Sequence, residues 1–361
     1  MSKIRVLVVE DSLTVRQHLV EILAGDGEIE VVAEADDGRR CIELCERLRP
    51  NVVVLDMVLP VMSGLAATEY IMAYCPTPIL IVSASANRGE LFKTYDALAA
   101  GALDVLEKPN GDEMDGRWEQ QFLAKVKLIS RISVITHVRG RRKATPTAHM
   151  RLSASTSEQP NDGYRVVAIG TSTGGPAAIV EILRALPAGF PLPILLVVHI
   201  SEVLGGYLAE WIDSQSALRV AYAEDGELLP ARGSSRVIMA PPNQHLIVRD
   251  GRLRLNRERE RHSCRPSVDV MFESIAREMG NDAVACLLTG MGKDGASGLL
   301  EIRKAGGFTV AQDEASSIVF GMPQEAIRLQ AAQLVLSLAD IGPTLVRLAT
   351  ASRRAALAVK A

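Results

Sequence analysis

Short aliphatic runs alternate with amphipathic stretches from the first residues of the chain onward. IRVLVV (4–9), IEVVAEA (29–35), NVVVL (51–55), PILIVSA (78–84) and LDVLEK (103–108) predict strands. Between them VRQHLVEILAG, CIELCERLR and LAATEYIMAY place apolar residues three to four apart and predict helices. Strands alternating with helices predict a parallel sheet covered on both faces, closed by a further helix over about 117–136. From Arg139 to Gly163 the pattern stops: RGRRKATPTAHMRLSASTSEQPNDG is nearly free of large apolar residues and reads as an exposed linker, its basic start a solvated linker end rather than a docking patch. A second α/β pattern then begins. RVVAIG (165–170), PILLVVHI (193–200), LRVAYAE, SRVIMA, HLIVRDGRLRLN, DAVACLLTG (282–290) and FTVAQDE predict strands. Helices are predicted in PAAIVEILRAL, GGYLAEWIDSQ, SVDVMFESIAREMG and ASGLLEIRKAG, and the tail from about 323 reads as helix, strand and helix. The predicted organisation is a domain over 1–136, a linker over 137–163 and a second domain over 164–361.

Composition agrees with two domains in 361 residues. With 48% apolar and 23% charged residues the chain is globular, and only 4% aromatic content means cores built from Val, Leu, Ile and Ala. A net charge of −3 supplies no basic field for sequence-independent nucleic-acid binding. MSKIRVLVVEDS lacks the order of a secretory signal, and no apolar run approaches the roughly 20 residues of a membrane span, so a cytoplasmic protein without membrane insertion is expected. Five cysteines with no C-x-x-C pair suggest reduced thiols. Cys41 and Cys45, one helical turn apart, read as small core residues rather than a metal half-site.

Open parallel sheets bind ligands outside the carboxyl ends of their strands, so the residues predicted there carry the chemistry. In the first domain Glu10 and Asp11 follow the first strand, Asp56 the third, Ser83 ends the fourth, and Lys108 follows the fifth. A cluster of carboxylates suits Mg²⁺, and Asp56 can accept a phosphoryl group as an aspartyl-phosphate. The cation and Lys108 would neutralise charge on the transferring group, and Ser83 could hydrogen-bond it. Solvated turn residues are the bland alternative; agreement among four strand ends argues against it.

VVEDS, VVVLDMVLP, IVSA and EKP over roughly 3–125 resemble the receiver domain of two-component response regulators. The resemblance implies a flavodoxin-like five-stranded sheet, Mg²⁺, and phosphotransfer from a histidine kinase to Asp56. It implies a metal site of Glu10, Asp11, Asp56 and the backbone carbonyl of Val58, with Ser83 and Lys108 on the phosphate. Two positions depart from the pattern: Glu10 stands where Asp is commoner, and Val105 replaces an aromatic.

In the second domain, Gly170-Thr171-Ser172-Thr173-Gly174-Gly175 joins a predicted strand to a helix and fits G-x-S-x-G, a tight turn that presents a serine hydroxyl. A serine nucleophile needs a base and a group that orients the base. His199 ends the strand PILLVVH, and Asp294 in LTGMGKDGASG follows another strand. The order Ser–His–Asp differs from the Ser–Asp–His of α/β-hydrolases and disfavours that fold. A phosphate cradle is the rival reading of the glycine turn, which matches neither dinucleotide nor Walker motifs. His245, read as turn-like after PPN, and His262, in RERERHSCR, are alternative bases; Asp225, Asp269 and Asp313 are competing acids.

IGTSTGGP, VVH, APPNQHLIV, RPSVDVMF, LLTGMGKDGASG and AQDEASSIVFGMP, over roughly 164–350, resemble the chemotaxis protein-glutamate methylesterase domain of the CheB type. The resemblance implies Ser172 as nucleophile, His199 as general base and acid, Asp294 as orienting carboxylate, and the Met291 amide in an oxyanion hole, to which turn geometry adds the amide of Thr173. The expected fold is α/β: a flavodoxin-like receiver followed by a doubly wound, mostly parallel esterase domain. The expected function is phosphorylation-activated removal of methyl groups from glutamate γ-methyl esters on methyl-accepting chemotaxis receptors, with glutamine deamidation, for sensory adaptation. Mg²⁺ is expected in the receiver alone, and the chain is expected to be monomeric. The alternatives are the same chemistry serving a non-motility output, or a non-catalytic adaptor. Ile200-Ser201-Glu202 departs from the Met-Pro pair usual after the family's histidine.

Overall fold

The computed structural model describes residues 3–84, 87–108, 116–132, 134 and 163–350. The chain divides into two compact units, Met1–Ala148 and His149–Ala361. The predicted linker, apart from Gly163, lies outside the described residues.

In the first unit the expected alternation becomes β1 (Ile4–Val9), α1 (Leu13–Ala24), β2 (Ile29–Ala35), α2 (Gly38–Leu48), β3 (Val52–Leu55), α3 (Gly64–Tyr74), β4 (Ile79–Ser83), α4 (Arg88–Ala100), β5 (Asp104–Glu107) and α5 (Arg117–Ile129). Three helices begin where the sequence supplies a side-chain acceptor. Asp37, Ser63 and Asn87 each take an amide of the following first turn. Cys41 and Cys45 are buried on the inner face of α2, as expected of small core residues. Helix α5 stops short of the expected 136, because the Ser130 hydroxyl donates to the Lys127 carbonyl and closes the last turn. The five strands are parallel in the order β2-β1-β3-β4-β5. The order reverses at β1, so the carboxyl ends of β1 and β3 flank the crevice that such sheets use for ligands.

The second unit contains β6 (Val166–Thr171), α6 (Gly175–Ala185), β7 (Ile194–Val198), α7 (Glu202–Gly205), α8 (Leu208–Gln215), β8 (Arg219–Tyr222), β9 (Arg236–Met239), β10 (His245–Arg249), β11 (Arg252–Asn256), α9 (Val268–Met279), β12 (Ala283–Leu287), α10 (Ala296–Lys304), β13 (Phe308–Gln312), α11 (Met322–Arg328), β14 (Leu334–Leu336) and α12 (Leu338–Thr350). Seven strands are parallel in the order β14-β13-β12-β6-β7-β9-β8. The segment HLIVRDGRLRLN, expected as one strand, is the antiparallel hairpin β10–β11. Its Asp250-Gly251 pair takes positive φ at both central positions (51° and 68°), which matches the twist of the flanking strands. The hairpin buries Leu246, Val248 and Leu253 in one core with Val268, Met271, Phe272 and Ile275 of α9 and with the strands β6, β7, β9 and β12. Chain order again reverses in mid-sheet, between β12 and β6, placing three neighbouring strand ends from β12, β6 and β7 at one edge.

Candidate active site and phosphoacceptor site

Strand β6 is completely buried, and its exit is shaped by glycine. A Cβ on Gly170 would stand 2.2 Å from Val268 Cγ1, and Gly174 sits at φ 77° as the N-cap of α6. Ser172, partly exposed, is held in this turn by its amide to the Thr289 carbonyl (3.0 Å) and by its own carbonyl accepting the Gly175 amide (2.7 Å). Thr171 pairs with Val198 in the β6–β7 register, and the His199 amide donates to the Thr171 carbonyl at 3.0 Å. Ser172 and His199 are therefore the next residues on adjacent parallel strands, whose backbones run about 4.8 Å apart.

Asp294 arrives from the loop after β12 and is 2% exposed. Its carboxylate sits on the N-terminus of α9. Ser267 Oγ donates to Oδ1 (2.7 Å), the Val268 amide to Oδ2 (2.7 Å) and the Asp269 amide to Oδ1 (3.1 Å). His199 Nε2 lies 2.8 Å from Oδ2. Burial opposes the charge on Asp294, but these bonds, His199 first, outweigh it and hold the carboxyl below its usual range. An ionised carboxylate accepts, so Nε2 carries the ring proton and Nδ1, with Cys264 Sγ 3.6 Å away, carries the lone pair. This reverses the ring nitrogens relative to the serine-protease arrangement.

The other candidates are engaged elsewhere. His245, read as a turn residue, is instead the buried first residue of β10. Its Nδ1 accepts the Ser267 amide (3.1 Å), leaving Nε2 to donate to the Arg259 carbonyl (3.2 Å), and burial lowers its pKa. His262 pairs with the buried Asp269 (3.1 Å), Asp225 accepts the Leu255 amide (2.9 Å), and Asp313 accepts the Ser316 amide and hydroxyl. Asp269 additionally accepts the Gly298 amide at 2.6 Å.

Three residues that sequence reading passed over build this edge. Ser267 was visible as the polar residue before the periodic run of α9, but its bond to Asp294 was not. Thr289 joins the serine turn to the Gly290–Gly292 loop, its hydroxyl donating to the Thr173 carbonyl and accepting the Val319 amide, each at 2.9 Å. Cys264 lies 3.6 Å from His199 Nδ1. Gly290 packs on the serine: a Cβ there would be 2.8 Å from Ser172 Cβ, so Met291 follows directly beside it. Beyond His199, Ser201 caps α7, and Glu202 accepts from Asn243, which in turn accepts from Arg265. The unexpected Ile200-Ser201-Glu202 thus builds a polar brace at the rim.

At the receiver edge, Lys108 Nζ lies 2.7 Å from Glu10 Oε2 and 3.0 Å from Asp56 Oδ2. Ligand atoms of Glu10, Asp11 and Asp56 fall within 4.8 Å of one another. Gly64 lets α3 approach the Asp56 backbone, since a Cβ would be 2.2 Å from the Asp56 carbonyl oxygen. The Lys108 amide donates to the Ser83 carbonyl (2.9 Å), fixing the ends of β4 and β5 together. Burial raises both Glu10 and Asp56 above the ordinary carboxylate range, even with Lys108 alongside. Three carboxylates against one ammonium leave two negative charges, and the all-oxygen donor set suits one hard divalent cation such as Mg²⁺. Val105 is buried in β5, so an aliphatic fills the place of the usual aromatic.

A five-stranded sheet with a phosphoacceptor-type acidic crevice, joined to a parallel α/β unit with serine, histidine and aspartate at one edge, defines a response-regulator receiver coupled to a hydrolase-type unit. Family models agree with both halves: the response regulator receiver domain matches residues 6–115 and CheB methylesterase matches 167–345. The chain is 42% identical to the protein-glutamate methylesterase/protein-glutamine glutaminase of Nitrosospira multiformis over 352 residues, 96% of this chain and 97% of the relative. It is 41% identical to enzyme 4 of that name in Myxococcus xanthus, covering 95% and 96% of the two chains. The crystal structure of the Thermotoga maritima CheB methylesterase catalytic domain, at 35% identity and TM-score 0.49, covers 52% of this chain and 99% of that one. The chain belongs to the CheB family of receiver-linked protein-glutamate methylesterases/protein-glutamine glutaminases. No helix among the described residues is long and apolar enough to cross a membrane.

Proposed function

We propose that this chain hydrolyses glutamate γ-methyl esters, and deamidates glutamines, on methyl-accepting chemotaxis receptors, with Ser172, His199 and Asp294 as its catalytic residues. The observation that carries this reading is the His199–Asp294 contact, set one strand from a serine held in a tight glycine turn. Ser172 Oγ attacks the γ-carbonyl while His199 Nδ1 takes its proton. Asp294 keeps Nε2 protonated and stabilises the imidazolium. The oxyanion is held by the amides of Thr173 and Met291, the second brought beside Ser172 by the Gly290 contact. His199 returns the proton to the leaving methanol or ammonia, and water then releases the glutamate from the acyl-enzyme.

Asp56 is the phosphoacceptor, with a chemotaxis-type histidine kinase as donor. Glu10, Asp11, Asp56 and the Val58 carbonyl would hold Mg²⁺, which would supply charge neutralisation for phosphoryl transfer. Lys108 and Ser83 contact the phosphoryl oxygens. The proposed domains are 1–136 and 164–361 with a linker over 137–163; the two compact units divide at Ala148/His149, within that linker. The chain works in the cytoplasm as a monomer. The test is methanol release from methylated receptor membranes. Wild type is active, and Ser172→Ala and His199→Ala are each reduced by several orders of magnitude, whereas Asp294→Asn loses less. Near wild-type release by Ser172→Ala overturns the assignment.

A further inference from the structure

We infer that Cys264 and His199 form a binding site for a thiophilic divalent cation of the Zn²⁺ type, and that its occupation shuts the esterase off. The inhibitory part rests on the assignment of His199 as the base; the binding part does not. Cys264 closes a tight turn in which Arg261 and Cys264 exchange both backbone bonds (2.9 and 3.2 Å) and His262 and Ser263 take positive φ. The turn is pinned from beneath. Arg261 forms two contacts with Glu273 (2.7 and 2.8 Å), and His262 pairs with Asp269 at 3.1 Å. The thiol is thereby held 3.6 Å from His199 Nδ1, the ring nitrogen that carries the lone pair.

That separation is what a metal would require. A Zn–N bond of about 2.0–2.1 Å and a Zn–S bond of about 2.3 Å, meeting at a tetrahedral angle, span a gap of about 3.5–3.6 Å. The outer partner is also in place. A ligating histidine typically donates its other ring N–H to a carboxylate, and Nε2 stands 2.8 Å from Asp294, itself fixed by Ser267 and two amides. Ligand atoms of His199, Cys264 and Asp294 cluster within 4.8 Å. His199 and Cys264 are both partly exposed, so a cation can reach them and water can complete the coordination. On binding, the Cys264 thiol loses its proton to solvent and the Nδ1 lone pair is donated to the metal. A coordinated Nδ1 cannot accept the serine proton.

The full chain is titrated with Co²⁺, a spectroscopic stand-in for Zn²⁺, in excess Mg²⁺ that occupies oxygen sites without competing for a thiolate. The other four cysteines are buried, so a thiolate-to-cobalt charge-transfer band reports Cys264. The expected result is a band at one metal per chain that Zn²⁺ displaces and Cys264→Ala abolishes. In parallel, the Zn²⁺ concentration that halves methyl-ester hydrolysis, referred to each variant's own metal-free rate, rises about tenfold or more in Cys264→Ala. The band in a chain that hydrolyses no ester upholds the metal site while the esterase assignment fails. Absence of the band, its survival in Cys264→Ala, or Zn²⁺ that displaces cobalt yet leaves hydrolysis by the wild type untouched overturns the inference.

Discussion

As the proposed base, His199 would have to be neutral to accept a proton, and its surroundings favour the charged form. Burial works against the imidazolium, but the bond to Asp294 and then the contact with Cys264 outweigh it and push the pKa up to about 9. Below that value most of the base is protonated. The kcat/KM for ester hydrolysis is therefore expected to rise with pH, about tenfold per unit at first, and to level off above about 9. Cys264→Ala removes one of the two contacts that favour the imidazolium, so its profile moves to lower pH. A rate that does not change across this range, or an unshifted profile in Cys264→Ala, contradicts the role given to the imidazole. The chemistry at this scale was only partly legible. Ser172 and His199 announced themselves by directly following buried runs and Asp294 by the glycine-flanked loop after one, whereas Cys264 lies 65 residues from His199 and no spacing links them.

At the scale of elements, the decisive device is helix α9, whose first turn receives the Asp294 carboxylate. A helix N-terminus stabilises negative charge through its unpaired amides. Ser267 serves twice, donating to Asp294 (2.7 Å) and accepting the Val270 amide (3.4 Å) as the helix cap. Ser267→Ala takes a hydrogen bond from a buried carboxylate, which costs about 1.5–3 kcal/mol. Thermal unfolding should register that loss, and ester hydrolysis should fall with KM little changed, because the residue acts on the orientation of His199 rather than on substrate. A variant with wild-type stability and rate would mean Asp294 is held by backbone alone. Uninterrupted aliphatic runs made the strands of both sheets readable, since parallel strands are buried on both faces. The misread elements were those whose environment comes from elsewhere. His245 follows PPN, a turn by local chemistry, yet it is buried because Ser267 and Arg259 supply partners for both ring nitrogens. The Asp-Gly turn inside HLIVRDGRLRLN carried the hairpin signal, and the alternating residues on either side masked it as one long strand.

At the scale of the whole molecule, two compact units on one chain have to communicate through populations: phosphorylation of Asp56 alters hydrolysis only if it favours one conformation over another. The receiver crevice would supply the needed difference in charge, because an aspartyl-phosphate at the proposed acceptor would engage Lys108, which is paired here with Glu10 and Asp56. Couplings of this kind are about 1–3 kcal/mol, or roughly 5–150-fold in an equilibrium. A receiver that restrains the esterase until phosphorylated predicts an order of rates. The unphosphorylated full chain is slowest, a fragment beginning near Gly163 is faster without any phosphodonor, and the phosphorylated full chain equals or exceeds the fragment. Asp56→Asn, and wild type with its divalent cations chelated, should take up no label from acetyl phosphate and remain at the slow rate. The comparison that decides is methyl-ester hydrolysis by the fragment and the unphosphorylated chain at equal concentration, with the fragment's fold verified by its cooperative unfolding. Equal rates would remove restraint from the mechanism and leave the receiver to act by bringing the esterase to its substrate, in which case phosphorylation would lower KM on receptor membranes without raising kcat.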